Sequence, residues 1–113
     1  MKQIYAAQCL TIYIGSEDKW GSGLLFPALV EKLHEAGLSG VTVFQGEEGY
    51  GAHGKLHTVR FEVLFAGLPV VVQAVDTPEK IAAALPVLDE MVAEGLVTIA
   101  DIQAIRYNGS SRA

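Results

Sequence analysis

Residues 68–75 are apolar on both faces of an extended strand: Val70, Val72 and Ala74 point one way, Val71 and Val75 the other. A strand of that kind is normally covered on both sides. A chain of 113 residues is the size of one domain, here residues 1–113. It has two segments with helical periodicity, and both must lie over one face of the sheet. The opposite face then needs cover from elsewhere. Packing of sheet against sheet between copies of the chain is the simplest source.

The rest of the chain fits around that strand. Residues 8–14 alternate, with Leu10, Ile12 and Ile14 opposite Cys9, Thr11 and Tyr13, which predicts a strand. Leu25, Leu29, Val30, Leu33 and Ala36 recur at helical spacing over residues 23–36, with Ser22 placed to cap the start and Gly37 to end it in a left-handed turn. Residues 40–45 and 58–65 read as strands, and Val97 opens a last strand over 97–107. Between 77 and 95, Thr77, Pro78 and Glu79 make a helix start, and Ile81, Ala84, Leu85, Leu88 and Val92 make its buried stripe. Pro86 is expected to kink or split this helix, and Gly95 to end it. Residues 108–113 read as a frayed tail. The order is that of an α+β, ferredoxin-like β-α-β-β-α-β sandwich with an extra hairpin strand.

Composition sharpens the question of cover. Half the residues are hydrophobic, high for a small monomer that must stay wet outside. No apolar run reaches the ~18 residues of a spanning helix, and the first residues lack a signal-peptide core. The expectation is a soluble, cytoplasmic protein that hides apolar surface against its own copies, with no membrane insertion. Thirteen acidic against eight basic residues, with no basic stripe, argue against nucleic-acid binding. Cys9 is the only cysteine, so no internal disulfide can form, and it reads as a buried, inert thiol.

Function is concentrated in residues 46–57, which hold four glycines, His53, His57 and Lys55. The segment is longer than a tight hairpin needs. Its glycines suit either turns with positive φ or a backbone nest for an anion, with Lys55 and Arg60 as countercharge. His53 and His57 are four apart, a metal-ligand spacing on a helix but one without fixed geometry in a loop. Glu47 and Glu48 are available to complete such a site. The plainer reading makes His57 a strand-end residue and leaves His53 exposed. His34 reads as a surface histidine, Trp20 as a lid on the core, and Glu17 with Asp18 as turn residues. No nucleophile with a base, phosphate loop or cysteine–histidine spacing is present, so an enzyme is not expected.

The segments Gly40-Val41-Thr42-Val43, Gly49-Tyr50-Gly51, His57-Thr58 and Leu68-Pro69-Val70-Val71-Val72 resemble the PII signalling proteins at the base of their T-loop and in the strand that follows. Leu10-Thr11-Ile12-Tyr13-Ile14-Gly15 and the stretch from Leu85 to Thr98 are closer still to a PII-like domain-of-unknown-function family. The resemblance spans about residues 8–107. It implies a homotrimer with clefts between subunits that bind adenine nucleotides or small anions. It also implies a loop that passes the bound state to a target protein, such as a transporter or an enzyme. On that reading Gly49, Gly51, Lys55, Arg60 and Arg106 line the cleft, Arg106 matching a family arginine that reaches phosphates. The segment from Glu94 to Asp101, glycine-rich and basic in PII proteins, here has an acid at each end and no Lys or Arg. A metal-binding trimer like the CutA proteins, which share the fold, is the alternative, with His53 and His57 as ligands.

Overall fold

The computed structural model describes residues 1–47 and 67–109. Strand β1 (Lys2–Gly15) leads into a short hairpin, β2 (Lys19–Trp20) with β3 (Gly23–Leu24), and then α1 (Leu25–Glu35). Strand β4 (Thr42–Gln45) precedes the undescribed stretch, and β5 (Pro69–Asp76) follows it. Helix α2 (Pro78–Met91) and strand β6 (Leu96–Tyr107) complete the order. The main sheet runs β4-β5-β1-β6, every neighbouring pair antiparallel. Each β-α-β connection therefore skips one strand, which is the ferredoxin-like arrangement. The predicted strand over 58–65, the extra hairpin strand of the sequence reading, lies outside the described residues.

One face of the sheet carries the core. Leu10, Ile12 and Ile14 of β1 sit opposite Ala74, Val72 and Val70 of β5, and all six are buried. Leu25, Leu29 and Leu33 of α1 and Ile81, Ala84, Leu88 and Met91 of α2 close over them. Their spacing of three, four and seven is why each helix has only one buried face. Trp20 packs against the edge of this cluster as a lid, and His34 is exposed, both as the sequence suggested.

Local chemistry sets the element ends. Ser22 does not cap α1. It lies with Gly21 in the two-residue turn joining β2 to β3, where Gly21 takes φ +62°, and the helix starts later, after Leu24. Pro27 is then the third helical residue, where no backbone bond is lost. Gly37, at φ +104°, ends α1: its N–H donates to His34 O, while Leu38 N–H reaches back to Leu33 O and buries its side chain. Thr77 caps α2, its hydroxyl oxygen accepting from Lys80 N at 3.3 Å. Pro86 does not split α2, which runs unbroken through it. Nor does Gly95 end that helix: it stops at Met91 with Val92 extended. Gly95 is required for another reason, since a Cβ there would lie 2.7 Å from the Tyr13 carbonyl oxygen.

No described helix covers the sheet's other face. Register puts Phe44, Val71, Tyr13 and Leu96 in one row across it, with Val75 and Cys9 in the next row but one. Leu96 is 58 % exposed, Phe44 52 % and Tyr13 42 %. Cys9 is only partly buried, contrary to the sequence expectation, because no described helix covers this side. β1 also begins earlier than its clean alternation indicated. Lys2–Ala7 pair with β6 alone and form a two-stranded arm beyond the end of β5, on which Ile4 and Ile105 face each other, both about half exposed.

Candidate functional site

Asp76 sits where three elements meet. It ends β5, immediately precedes the Thr77 cap of α2, and is 4 % exposed. Its Oδ1 accepts from Thr77 N at 2.8 Å and its Oδ2 from Ser39 N, in the link between α1 and β4, at 2.9 Å. Burial pushes the carboxyl pKa up. The two backbone donors, helped by Ser39's side chain and the charge of Lys80, outweigh it and hold the group below its ordinary value. Asp76 is therefore ionised at neutral pH and pins α2 to the α1–β4 link.

Above it opens a cavity of about 400 Å³ whose walls include Gln3, Tyr5, Asp76, Thr77, Lys80 and Arg106. That lies within the range of small-molecule sites. One wall is the β1–β6 arm, where Arg106 pairs in register with Gln3. Its guanidinium carbon stands 5.7 Å from the centre of the Tyr5 ring, a cation–π contact. The facing wall is the first turn of α2, with Lys80. Among the described residues no carboxylate lies within ion-pair distance of Arg106 or Lys80. Two cations, Arg106 and Lys80, and two carboxylates, Asp76 and Glu79, thus line this concave space.

Of the residues the sequence proposed for the cleft or a metal site, only Arg106 and the exposed Glu47 are within the described part. Gly49, Gly51, Lys55, Arg60, His53 and His57 lie outside it. The ends of the stretch that contains them are described, however. Gly46 N donates to Pro69 O at 2.7 Å, Ser16 N to Leu68 O at 2.7 Å, and Leu68 N to Ser16 Oγ at 2.8 Å. Gly67, at φ +97°, is pressed so closely on Ser16 and Glu17 that no Cβ fits. The base of the glycine-rich segment is therefore held at the Gly15 end of β1. Arg106 is paired at the Gln3 end, twelve residues or about 40 Å away along the strand. Within a single chain, Arg106 and the base of that segment do not meet.

Sequence reasoning missed Tyr5 and Lys80. Tyr5 precedes the part of β1 with clean alternation, and Lys80 follows a helix-start pattern that absorbed the reading of residues 77–79. The pairing of Lys2–Ala7 with β6 brings Tyr5 beside Arg106, and Lys80 lines the same cavity from the first turn of α2; no local pattern announces either. Among the described residues no three His, Cys, Asp or Glu side chains gather as a metal site.

Comparison with known proteins places this architecture. The model of the DUF190 family, described as an uncharacterised ACR, matches residues 7–104. The chain belongs to the DUF190 family. A UPF0166 protein of Methanocaldococcus jannaschii is 36 % identical over 108 residues, covering 93 % of this chain and 95 % of that relative. One from Aquifex aeolicus is 30 % identical over 105 residues, covering 91 % and 97 %. Among solved structures, CPII from Thiomonas intermedia K12, a nitrogen regulatory PII-like protein bound to ADP, AMP and bicarbonate, superposes with a TM-score of 0.66. It shares 21 % identity, and the match covers 94 % of this chain and 100 % of that one. A putative PII-like signalling protein from Thermus thermophilus gives 0.58 at 20 % identity, covering 94 % of each chain. The Bacillus subtilis GlnK–ATP complex gives 0.58 at 11 % identity, covering 86 % and 82 %. This DUF190 chain has the PII-like fold, as the sequence resemblance implied.

Proposed function

We propose that the protein is a PII-like regulatory trimer, not an enzyme. It binds an adenine nucleotide or small anion in clefts between subunits and signals through loop 46–57 to a target protein. The observation that carries this reading is the separation along β1. Arg106 and the described base of the glycine-rich segment stand at opposite ends of one strand, which favours a ligand shared between two copies. The apolar side chains on this face supply the reason for copies to meet, since Phe44, Tyr13, Leu96 and Val75 are exposed on one side of one sheet among the described residues. Likeness to CPII and GlnK, whose structures hold ADP, AMP, bicarbonate or ATP, supports the ligand class.

In this mechanism the ligand orders a loop. Fixing a glycine-rich segment costs about 1–2 kcal/mol per residue in backbone entropy, so a ligand that touches it shifts its population between states. Gly49 and Gly51 offer N–H groups, Lys55 and Arg60 countercharge, and Arg106 of the neighbouring copy the second clamp. No helix among the described residues is long and apolar enough to cross a membrane, and we place the protein in the cytoplasm.

Calorimetric titration with AMP, ADP, ATP and bicarbonate, paired with limited proteolysis of the segment around Lys55, tests the reading. Binding accompanied by protection is expected. Absence of binding by all four at millimolar concentration would refute it, as would binding that leaves cleavage at Lys55 unchanged.

A further inference from the structure

We propose that β6 is a docking edge: in the assembly its outer side pairs, backbone to backbone, with a strand of a neighbouring copy. This rests on the reading above only in taking the protein as a threefold assembly of copies.

β6 ends the sheet, so among the described residues one side of its twelve-residue backbone has no partner strand. Edge strands are usually guarded against new pairing by lysine, proline, a bulge or shortness. β6 has none of these guards. Residues 96–107 contain no Pro or Lys, and the register with β1 is unbroken from Leu96 opposite Tyr13 to Tyr107 opposite Lys2. Its two charges are engaged by side chains of β1. Gln8 Nε2 donates to Asp101 Oδ1 at 2.9 Å, and Arg106 stands over the Tyr5 ring.

β6 is also apolar on both faces. Leu96 and Ile102 share the side of Tyr13, Ile99 and Ile105 point to the other, and all four are exposed. A strand built this way is normally covered. Past the end of β5 the sheet narrows to the two-stranded arm of β1 and β6, and such a ribbon alone is marginal in water. A third strand laid along β6 supplies what the arm lacks.

Two observations make the occupant a second copy. Leu96 and Ile102 continue the exposed apolar row of Phe44 and Tyr13, so an assembly that covers that row reaches β6 as well. The chain carries a net charge of −5, yet β6 holds one acid and one base, so a like-charged copy approaches this edge without repulsion. Three copies around one axis meet through two different surfaces at each contact. β6 therefore meets another edge of the next copy, not its own twin.

The test is amide hydrogen exchange by NMR on the full chain, with sedimentation to fix its mass. On an unpaired edge every second N–H points to solvent. Protection at consecutive residues of β6 is expected, the outward amides exchanging at least about a hundredfold slower than in Leu96→Glu, whose species are smaller. Ile105→Lys adds a charge on the side away from Leu96 and Tyr13. It is expected to weaken the trimer at least about tenfold, with circular dichroism unchanged because Ile105 is half exposed in one chain. A trimer whose β6 amides exchange at every second residue overturns the inference and leaves the edge to another partner. A trimer undisturbed by Ile105→Lys overturns it as well. The sensor reading survives either result. A species of six chain masses that Ile105→Lys reduces to three also overturns the inference, since β6 would then meet its own twin across a twofold axis. A single-chain species at micromolar concentration overturns both.

Discussion

Asp76 is the residue on which the local design turns. Its pKa is lower folded than unfolded, so its contribution to stability is complete above about pH 4, the ordinary carboxylate range. That contribution is lost as pH falls below it toward the folded value. Thermal melts between pH 5 and pH 2 are expected to show a decline that Asp76→Asn lacks, with the variant about 1–3 kcal/mol less stable at pH 7. An equal acid slope in both proteins would contradict this role. Gly95 makes a second test at the same scale. Its sequence position suggested a helix stop, but its φ is not left-handed, and the structure gives it the task of letting the chain pass Tyr13 O. Gly95→Ala is expected to cost about 1–3 kcal/mol in denaturant unfolding. No sequence pattern distinguishes the two kinds of glycine, because close approach is a fact of tertiary packing. Gly37 is different: helix periodicity ends just before it, and it takes the φ the sequence implied.

At the scale of elements, period and capping residues made most of the fold legible. The strands at 8–14 and 68–75, the α2 start at Thr77-Pro78 and the stripe through Ile81, Ala84 and Leu88 are all readable because burial repeats on a fixed period. The β2–β3 hairpin and the arm of Lys2–Ala7 are not. Both are set by pairing with distant or very short segments, which leaves no local period. Pro86 disturbs its helix less than its position suggests. A proline one turn from a packed stripe removes one bond, and packing of Ala84, Leu88 and Met91 holds the helix together regardless. The cost remains: Pro86→Ala is expected to stabilise the protein by about 1–2 kcal/mol, the restored helix bond being partly offset by a freer unfolded chain. A lower melting temperature in that variant would contradict this account. Of the candidate site, Arg106 was legible from a motif. Tyr5 and Lys80, which line its cavity, were not, since strand pairing brings the first there and the placement of α2 the second.

At the scale of the molecule, two helices seal one sheet face, and no described helix covers the other, which exposes Phe44, Tyr13, Val75 and Leu96. Burying Phe44, Tyr13, Val75 and Leu96 against a second copy stabilises an assembly at roughly 25 cal/mol per Å² of apolar surface. A charge placed there opposes it, so Leu96→Glu is expected to yield smaller species while keeping the fold by circular dichroism. The proposed sensing depends on that assembly, because within one chain the base of the glycine-rich segment and Arg106 stand at opposite ends of β1. Sedimentation equilibrium at micromolar concentration measures it directly. The account predicts a single species of three times the 12.1 kDa chain mass. A stable species of one chain mass would contradict it.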